Sequence, residues 1–471
     1  MLAELIQTLR AQLPAECLLT EPEQRVAFEC DALSVYTALP GLVVLARSEA
    51  DVVAVVKACA THKVPLVSRG AGTGLSAGAL PHPDGVLLVT ARMNRILSLN
   101  AQTLTARVQP GVINARISEA AQSHQCYYAP DPSSQIACSI GGNVAENAGG
   151  VHCLKYGVTV NNVIGARVVN ASGQLVELGG QTAAQPGFDL LALVHGSEGC
   201  LGVVTEITLR LTPLPETTRT LLAEFSDVRS ACDAVSEVIA SGVIPAALEM
   251  MDALAIRATE AFCQPGYGAE AQAVLLVDLD GDPAEVRVEC ELTRELLTRA
   301  GARQVREAST EAERLRWWKG RKSAFPAIGR LSPDYYCIDG TVPRGKIGDL
   351  LDFIGQAALR YQLQVANVFH AGDGNLHPII MFDNSKPGEL ARTEQLAGEI
   401  LEACIAAGGT ITGEHGVGVE KIRQMASQFS EPEIAQLLAL KAALDEHNLL
   451  NPDKLIPSLA RCREYRLLKQ Q

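Results

Sequence analysis

The stretch Val368-Phe369-His370-Ala371-Gly372-Asp373-Gly374-Asn375-Leu376-His377-Pro378 carries two imidazoles seven residues apart around a Gly-Asp-Gly centre. Glycines inside and a proline beyond argue against a helix and for a tight turn. If residues 371–376 form the turn of an antiparallel hairpin, His370 and His377 stand directly opposite, with Cβ atoms ~5 Å apart. Two imidazoles at that separation suit one divalent ion, with metal–nitrogen bonds near ~2.1 Å. The stretch Thr412-Gly413-Glu414-His415-Gly416-Val417-Gly418 offers Glu414 as a third ligand. Two histidines and one carboxylate leave coordination positions open for a substrate. Buried neutral histidines that stabilise the turn are the competing reading.

His415 adjoins Glu414, and in extended backbone neighbouring side chains point to opposite sides. An imidazole titrates near pH ~6.5, which suits it to take a hydroxyl proton at neutral pH. A further ligand, or a hydrogen-bond donor to one, is the alternative role for His415.

A different chemistry lies upstream. Gly70, Gly72, Gly74 and Gly78 follow the apolar run Val64-Pro65-Leu66-Val67. Glycine lets backbone N–H groups approach an anion closely, as a pyrophosphate requires. No Lys-Ser/Thr pair follows, so this is not a Walker loop, and Pro81 and Pro83 stand where a Rossmann helix would begin. A second tract holds Gly141-Gly142-Asn143 and Asn147-Ala148-Gly149-Gly150. Two such tracts in one region fit a ligand as long as a dinucleotide. A metal-dependent hydrolase built on His370, His377 and Glu414 is the rival chemistry, and it leaves both tracts idle.

These residues need elements to position them. Residues ~41–70 alternate strand, helix, strand, and strands follow at ~86 and ~105. The run from Val163 to Gly179 reads as a hairpin turning at Ala171-Ser172-Gly173. From Arg219 to Ala308 a strand–helix–strand pattern occurs twice, which predicts a ferredoxin-like antiparallel sheet with helices on one face. Long helices are predicted at 346–361 and ~387–407. The chain therefore divides into an N-terminal helical segment (1–34), a first domain (35–215), a second, sheet-bearing domain (216–405) and a C-terminal segment (406–471).

At 471 residues and 47% hydrophobic composition the chain can bury a large core. Its 40 basic against 53 acidic residues, net −13, argue against a nucleic-acid binder. No apolar run approaches the ~18 residues of a membrane span. The N-terminus has no basic signal-peptide start. Thirteen cysteines without one C-x-x-C pair point to reduced thiols in a cytoplasmic protein and against an iron–sulfur cluster in this chain.

The stretches PLVSRGAGTGLSAGALP, APDPSSQIACSIGGNVAENAGGVHCLKYG, GSEGCLGVVTE, WKGRKSAFPAIGRLSPDYYCIDGTVP, NVFHAGDGNLHP and GEHGVGVEKI together resemble the vanillyl-alcohol-oxidase type of FAD-binding oxidoreductase. The likeness covers nearly the whole chain. It is strongest to the D-2-hydroxyacid dehydrogenase branch, which holds the bacterial glycolate oxidase D subunits and the D-lactate and D-2-hydroxyglutarate dehydrogenases. It implies an α+β fold, with a two-subdomain FAD-binding domain, a ferredoxin-like cap and a C-terminal helical segment returning towards the flavin.

By that resemblance Ser68, Arg69, Gly70, Ala71, Gly72, Thr73, Gly74 and Ser76 hold the FAD pyrophosphate. Pro130, Asp131, Ser134, Gly141, Gly142, Asn143, Asn147, Gly149, Gly150 and Gly157 line the ADP and flavin ends, with Val203 near the ring. Some relatives bond flavin to a histidine in the first loop; none lies between Arg69 and Leu80, so the FAD is expected to be non-covalent. The resemblance also implies that His370, His377 and Glu414 bind Zn, Mn or Fe, and that His415 is the catalytic base.

Arg321 belongs to a run of five cations in nine residues, Arg314 to Lys322. Such runs are usually solvated, but the resemblance puts Arg321 on the substrate carboxylate, which a guanidinium matches bidentately. Phe325 and Cys337 replace polar residues of some relatives, which favours a small monocarboxylate, glycolate or D-lactate. The implied partners are a second flavin-binding subunit and an iron–sulfur subunit delivering electrons to a quinone, with any membrane attachment borrowed from them. A subunit acting alone, or one holding FAD without catalysis, remains an alternative.

Overall fold

The structure is a computed structural model and describes residues 1–180, 187–268, 270–460 and 462. The end of the expected C-terminal segment thus lies outside the described residues. The chain forms two compact units: Met1–Gly149 with Gly157–Leu214 and Glu414–Gln471, and Gly150–Tyr156 with Pro215–Gly413.

In the first unit, helix α1 (Leu2–Arg10) buries Leu5 and Leu9 in the core that also takes Val52, Val55 and Val56. Strands β1 (Leu42–Leu45), β2 (Leu66–Arg69) and β3 (Val86–Val89) are parallel, with β3 in the middle. Helix α2 (Glu49–His62) makes the crossover from β1 to β2. It starts on Ser48, whose side chain accepts from the Asp51 N–H, and stops at Lys63 in the left-handed conformation.

A five-stranded antiparallel sheet comes next, from β4 (Ile96–Asn100), β5 (Thr105–Val108), β6 (Val163–Val169), β7 (Leu175–Gly179) and β8 (Val203–Arg210). The expected hairpin is β6–β7, its turn closed by the Gly173 N–H on Asn170 O. Helix α3 (Ile140–Glu146) lies within the second glycine tract.

The C-terminal segment completes this unit. The Leu66 N–H donates to Leu449 O (2.8 Å) and the Asn451 N–H to Leu66 O (2.7 Å), so β2 gains a parallel neighbour from the far end of the chain. Lys441 Nζ is buried on Cys200 O, Leu450 O and Asp445 Oδ2 at 2.7, 2.7 and 2.5 Å.

In the second unit β9 (Thr217–Phe225), α4 (Val228–Ala240), β10 (Ala247–Asp252), α5 (Ala253–Cys263), β11 (Ala273–Gly281), α6 (Pro283–Arg299) and β12 (Gln304–Glu307) run in the order β12-β9-β11-β10. All neighbours are antiparallel, the ferredoxin-like order expected from the repeated pattern. Helix α7 (Glu311–Lys322) comes next, then β13 (Asp334–Cys337), β14 (Gly340–Thr341), α8 (Ile347–Tyr361), β15 (Gln364–His370), β16 (Asn375–Leu376), β17 (Pro378–Phe382) and α9 (Glu389–Ala406). Strand β15 pairs with β10 and so extends the sheet.

The Gly150–Tyr156 excursion is fastened here, with Lys155 Nζ on Asp280 Oδ1 (2.6 Å) and Tyr156 Oη on Asp280 Oδ2 (2.8 Å). Among the described residues no cysteine is disulfide-bonded and no helix is long and apolar enough to cross a membrane.

Candidate functional site

The histidine hairpin forms, but with a shorter turn than the spacing predicted. His370 pairs with Asn375 and Asn367 with Pro378, so residues 371–374 make the turn and His377 does not lie opposite His370. This corrects the expectation of direct opposition. Gly374 closes the tighter loop at φ +81°, and an added Cβ there would meet Val342 O at 2.2 Å. His370 and His377 are instead diagonal neighbours on one face of the hairpin. Diagonal positions remain within reach of long or aromatic side chains, and the ring centroids are 5.2 Å apart, edge to face.

A ligating nitrogen of each ring lies within 4.8 Å of the other. Nδ1 of His370 hydrogen-bonds Glu249 Oε1 at 2.8 Å, and Nδ1 of His377 meets Ile338 O at 3.2 Å. Holding Nδ1 on an oxygen fixes the tautomer and makes Nε2 the ligating nitrogen. Cys337 Sγ lies within 4.8 Å of a His377 ring nitrogen and is a further soft donor beside the pair.

Glu249 escaped the sequence reading. It sits in β10, directly across from His370 in the register, and is almost wholly buried. Its Oε2 lies 2.6 Å from Arg321 Nη2. Burial would raise this carboxyl, but His370 and Arg321 overcome that and hold it below the ordinary carboxylate value. The only signal in the sequence is one charge inside the apolar strand Ala247-Leu248-Glu249-Met250-Met251.

Arg321 itself is 2% exposed, unlike a member of a solvated run. Trp317, Trp318 and Gly320 of α7 are buried with it, and the cation run's other face carries the exposed pair Arg316–Glu313. Among the described residues Arg321 Nε has no acceptor, so the guanidinium keeps donors for a ligand.

Glu414 and His415 open the last segment of the first unit. The residues immediately beyond them are pinned tightly there. The Val417 and Gly418 N–H groups donate to Glu198 at 2.6 and 2.8 Å, and the Val419 N–H donates to Ser76 O at 3.0 Å. A Cβ on Gly416 would meet Glu146 Oε2 at 2.1 Å, and one on Gly418 would meet Ser76 O at 2.0 Å. The His415 segment therefore rests on the first glycine loop.

That loop fits an anion. Among the described residues no acceptor takes a hydrogen bond from the backbone N–H groups of Gly70 through Gly78. Ser76 Oγ is buried without a partner there. The second tract abuts it: a Cβ on Gly70 would meet Ser139 Oγ at 2.1 Å, and the Gly142 N is 3.6 Å from that position. Arg69 turns inward, its Nη1 donating to Cys30 O at 2.6 Å and its guanidinium packed on the place a Gly72 Cβ would occupy.

Several other expected cofactor residues hold the tract together through their own side chains or backbone. Asn143 donates to Asn114 (2.9 Å), and Asn114 in turn donates to Pro130 O (3.0 Å). Asn147, left-handed, accepts from the Val160 N–H. Ser134 O accepts from the Ala137 and Cys138 N–H groups, and Asp131 is buried. Gly141 permits contact with Pro110, and Gly157 has φ +78°. Gly149 ends the first unit's segment and Gly150, at φ +144°, begins the excursion into the second. Val203 is buried in the core with Val169.

A cluster of buried charges behind the loop was not foreseen. Burial raises Asp31 to about 6, and burial, reinforced by Glu198, raises Glu146 well above the carboxylate range. Lys454, lowered to about 8 by burial, donates to Gly78 O (3.0 Å), Leu80 O (2.5 Å) and Asn451 Oδ1 (2.7 Å).

Comparison with known proteins bears on the family and the fold. Residues 40–179 match the FAD binding domain, and residues 214–455, over half of the chain, match the C-terminal domain of FAD linked oxidases. The chain is 54% identical to the glycolate oxidase subunit GlcD of Escherichia coli (strain K12), covering 98% of this chain and 92% of that protein. It is 31% identical to the D-lactate dehydrogenase of Archaeoglobus fulgidus, covering 89% and 92%. The structure of p-cresol methylhydroxylase superposes with a TM-score of 0.82 at 17% identity over 97% of each chain, and alkyldihydroxyacetonephosphate synthase with 0.75 at 17% over 96% and 85%. The fold is thus the α+β, vanillyl-alcohol-oxidase type expected from the motifs, and the chain belongs to the family of FAD-linked oxidases.

Proposed function

We propose that this chain oxidises a small 2-hydroxy acid, glycolate or D-lactate, to the 2-oxo acid. The observation that carries the reading is Arg321, a buried guanidinium with an unsatisfied Nε, tied through Glu249 to His370. It supplies donors for a carboxylate beside a residue able to hold an ion.

FAD would be held by the unpaired amides of Gly70–Gly78 and by the second glycine tract; when bound it supplies the two-electron acceptor for the substrate's α-hydrogen. His370, His377 and Glu414 would hold a divalent ion, Zn, Mn or Fe, whose contribution is Lewis acidity towards the hydroxyl. Glu414 follows Gly413, whose N–H is fixed on Asp339 O and Oδ2 (3.1 and 3.0 Å), and His377 rests on the neighbouring Ile338.

Arg321 clamps the carboxylate and so fixes which face of the carbon is presented. His415 takes the hydroxyl proton on its imidazole. Phe325, packed near Tyr335 with ring centroids 6.2 Å apart, and buried Cys337 give no charged contact for a second carboxylate, which favours the shorter substrates. Residues 35–215 serve as the FAD domain and 216–405 as the substrate domain. The name of the Escherichia coli relative describes a subunit, and we extend this to a complex here. Its other members are a second flavin-binding subunit and an iron–sulfur subunit that pass electrons to a quinone.

The test is anaerobic. Purified protein is mixed with glycolate, D-lactate, L-lactate or D-2-hydroxyglutarate, with and without chelator, and flavin absorbance is followed. Glycolate or D-lactate should bleach the flavin, and chelator should slow the bleaching. Flavin that no hydroxy acid reduces would sink the proposal. His415→Ala should retain FAD and lose reduction, and full activity in that variant would remove the base assignment.

A further inference from the structure

Glu249 joins two groups that the proposed reaction uses for different purposes. One oxygen accepts from His370 Nδ1 at 2.8 Å; the other lies 2.6 Å from Arg321 Nη2. The three residues are 1%, 4% and 2% exposed respectively, so water does not loosen the arrangement. Strand register sets one arm, because Glu249 and His370 are cross-strand partners on β10 and β15. Helix α7 supplies the other arm, since Arg321 lies in its last turn.

A carboxylate on the Nδ1–H side of a ligating histidine orients the ring and raises the basicity of its Nε2. The same carboxylate, on one edge of a guanidinium, leaves the opposite edge to a ligand in a fixed plane. We infer that Glu249 is a positioning residue that aligns both the ion-binding ring of His370 and the substrate-clamping guanidinium of Arg321. Ion binding and carboxylate binding are therefore set by one side chain, and loss of that side chain weakens both. The inference rests on the function proposed above.

Glu249→Gln keeps the shape and removes the charge. In FAD-loaded protein, ion retention is measured by chelator titration with zinc or manganese, and flavin reduction by glycolate is followed at saturating ion. The variant should retain FAD and hold the ion roughly 10- to 100-fold more weakly, the range typical when a ligand's hydrogen-bond partner is lost. Its KM for glycolate should rise about tenfold or more, with kcat at saturation changed far less. A general structural defect would lower FAD content and kcat together and would not split KM from kcat.

Because Gln leaves Arg321 buried without a counter-charge, Glu249→Asp is the second variant; it keeps the charge but is one methylene too short to reach both partners. Should Glu249→Gln fail to fold, Glu249→Asp decides, with the same two losses expected. Ion affinity and KM within about twofold of the unmodified protein in the folded variant would overturn the inference, as would a change in only one of them. Unmodified protein that holds no divalent ion, or whose flavin no hydroxy acid bleaches, fails before any variant is made. That outcome removes the functional reading, and the inference with it.

Discussion

A guanidinium as deeply buried as Arg321 cannot be exchanged for an ammonium without loss. Lysine offers a point charge in place of a planar fork, so Arg321→Lys should raise KM for a hydroxy acid by roughly 10- to 100-fold, the equivalent of one charged hydrogen bond. Steady-state kinetics checks this, with FAD content as the control. Asp31 makes a pH prediction. Burial raises its folded-state value from 3.8 to about 6, so the native chain binds this proton more tightly than the unfolded chain. The stabilisation is therefore complete below the ordinary value and is lost as pH rises through the window to about 6. Asp31→Asn should flatten that slope and gain, relative to the parent, up to ~3 kcal/mol between pH ~4 and ~7 in urea unfolding. Lys454 works at the other end of the scale, since an amine lowered to about 8 binds its proton less tightly in the native chain. Its neutralisation should make the fold more stable as pH rises from about 8 towards its ordinary value of 10.5.

At the scale of elements the histidine turn is the sensitive place. Gly374→Ala would put a methyl 2.2 Å from Val342 O on a residue at φ +81°. That strain should lower stability by ~1–3 kcal/mol and shift His377 away from His370. Thermal melting and bound-ion content would register both effects. Gly372→Ala is the milder control, because its methyl meets the flexible end of Leu154 at 2.5 Å.

The repeated strand–helix pattern of β9–β12 was legible because apolar periodicity changes cleanly between strand and helix along residues 217–307. The turn length was not, because Gly-Asp-Gly permits both a four-residue and a six-residue loop and pairing on both flanks decides between them. Glu249 was invisible for a related reason: its partners come from β15 and α7, and only the folded register brings them to it. The burial of Arg321 was not legible, because its cation-rich surroundings read as solvated; Trp317 and Trp318 were the sign that this helix has a buried face.

At the scale of the molecule, the first unit is assembled from three separate stretches of chain and the second from two. The resemblance implied that the C-terminal segment returns, but its pairing with β2 was illegible, since Leu450 and Asn451 engage Leu66 through backbone bonds that carry no side-chain signature. Ending the chain at Gly413 removes those bonds, the Lys441 network and the Gly416–Gly418 contact with Ser76. Such a protein should purify without flavin absorbance, whereas a chain ending after Cys462 should keep it.

That late-arriving neighbour of β2 has a consequence for biogenesis. While the ribosome is still reading the codons beyond Gly413, every segment of the second unit has already been made, but β2 still waits for its partner around Leu450. Folding during translation generally proceeds from the front of a chain; here the front half is finished last. Coenzyme loading into the Gly70–Gly78 loop, on the function proposed above, would then follow synthesis of the Leu450 stretch.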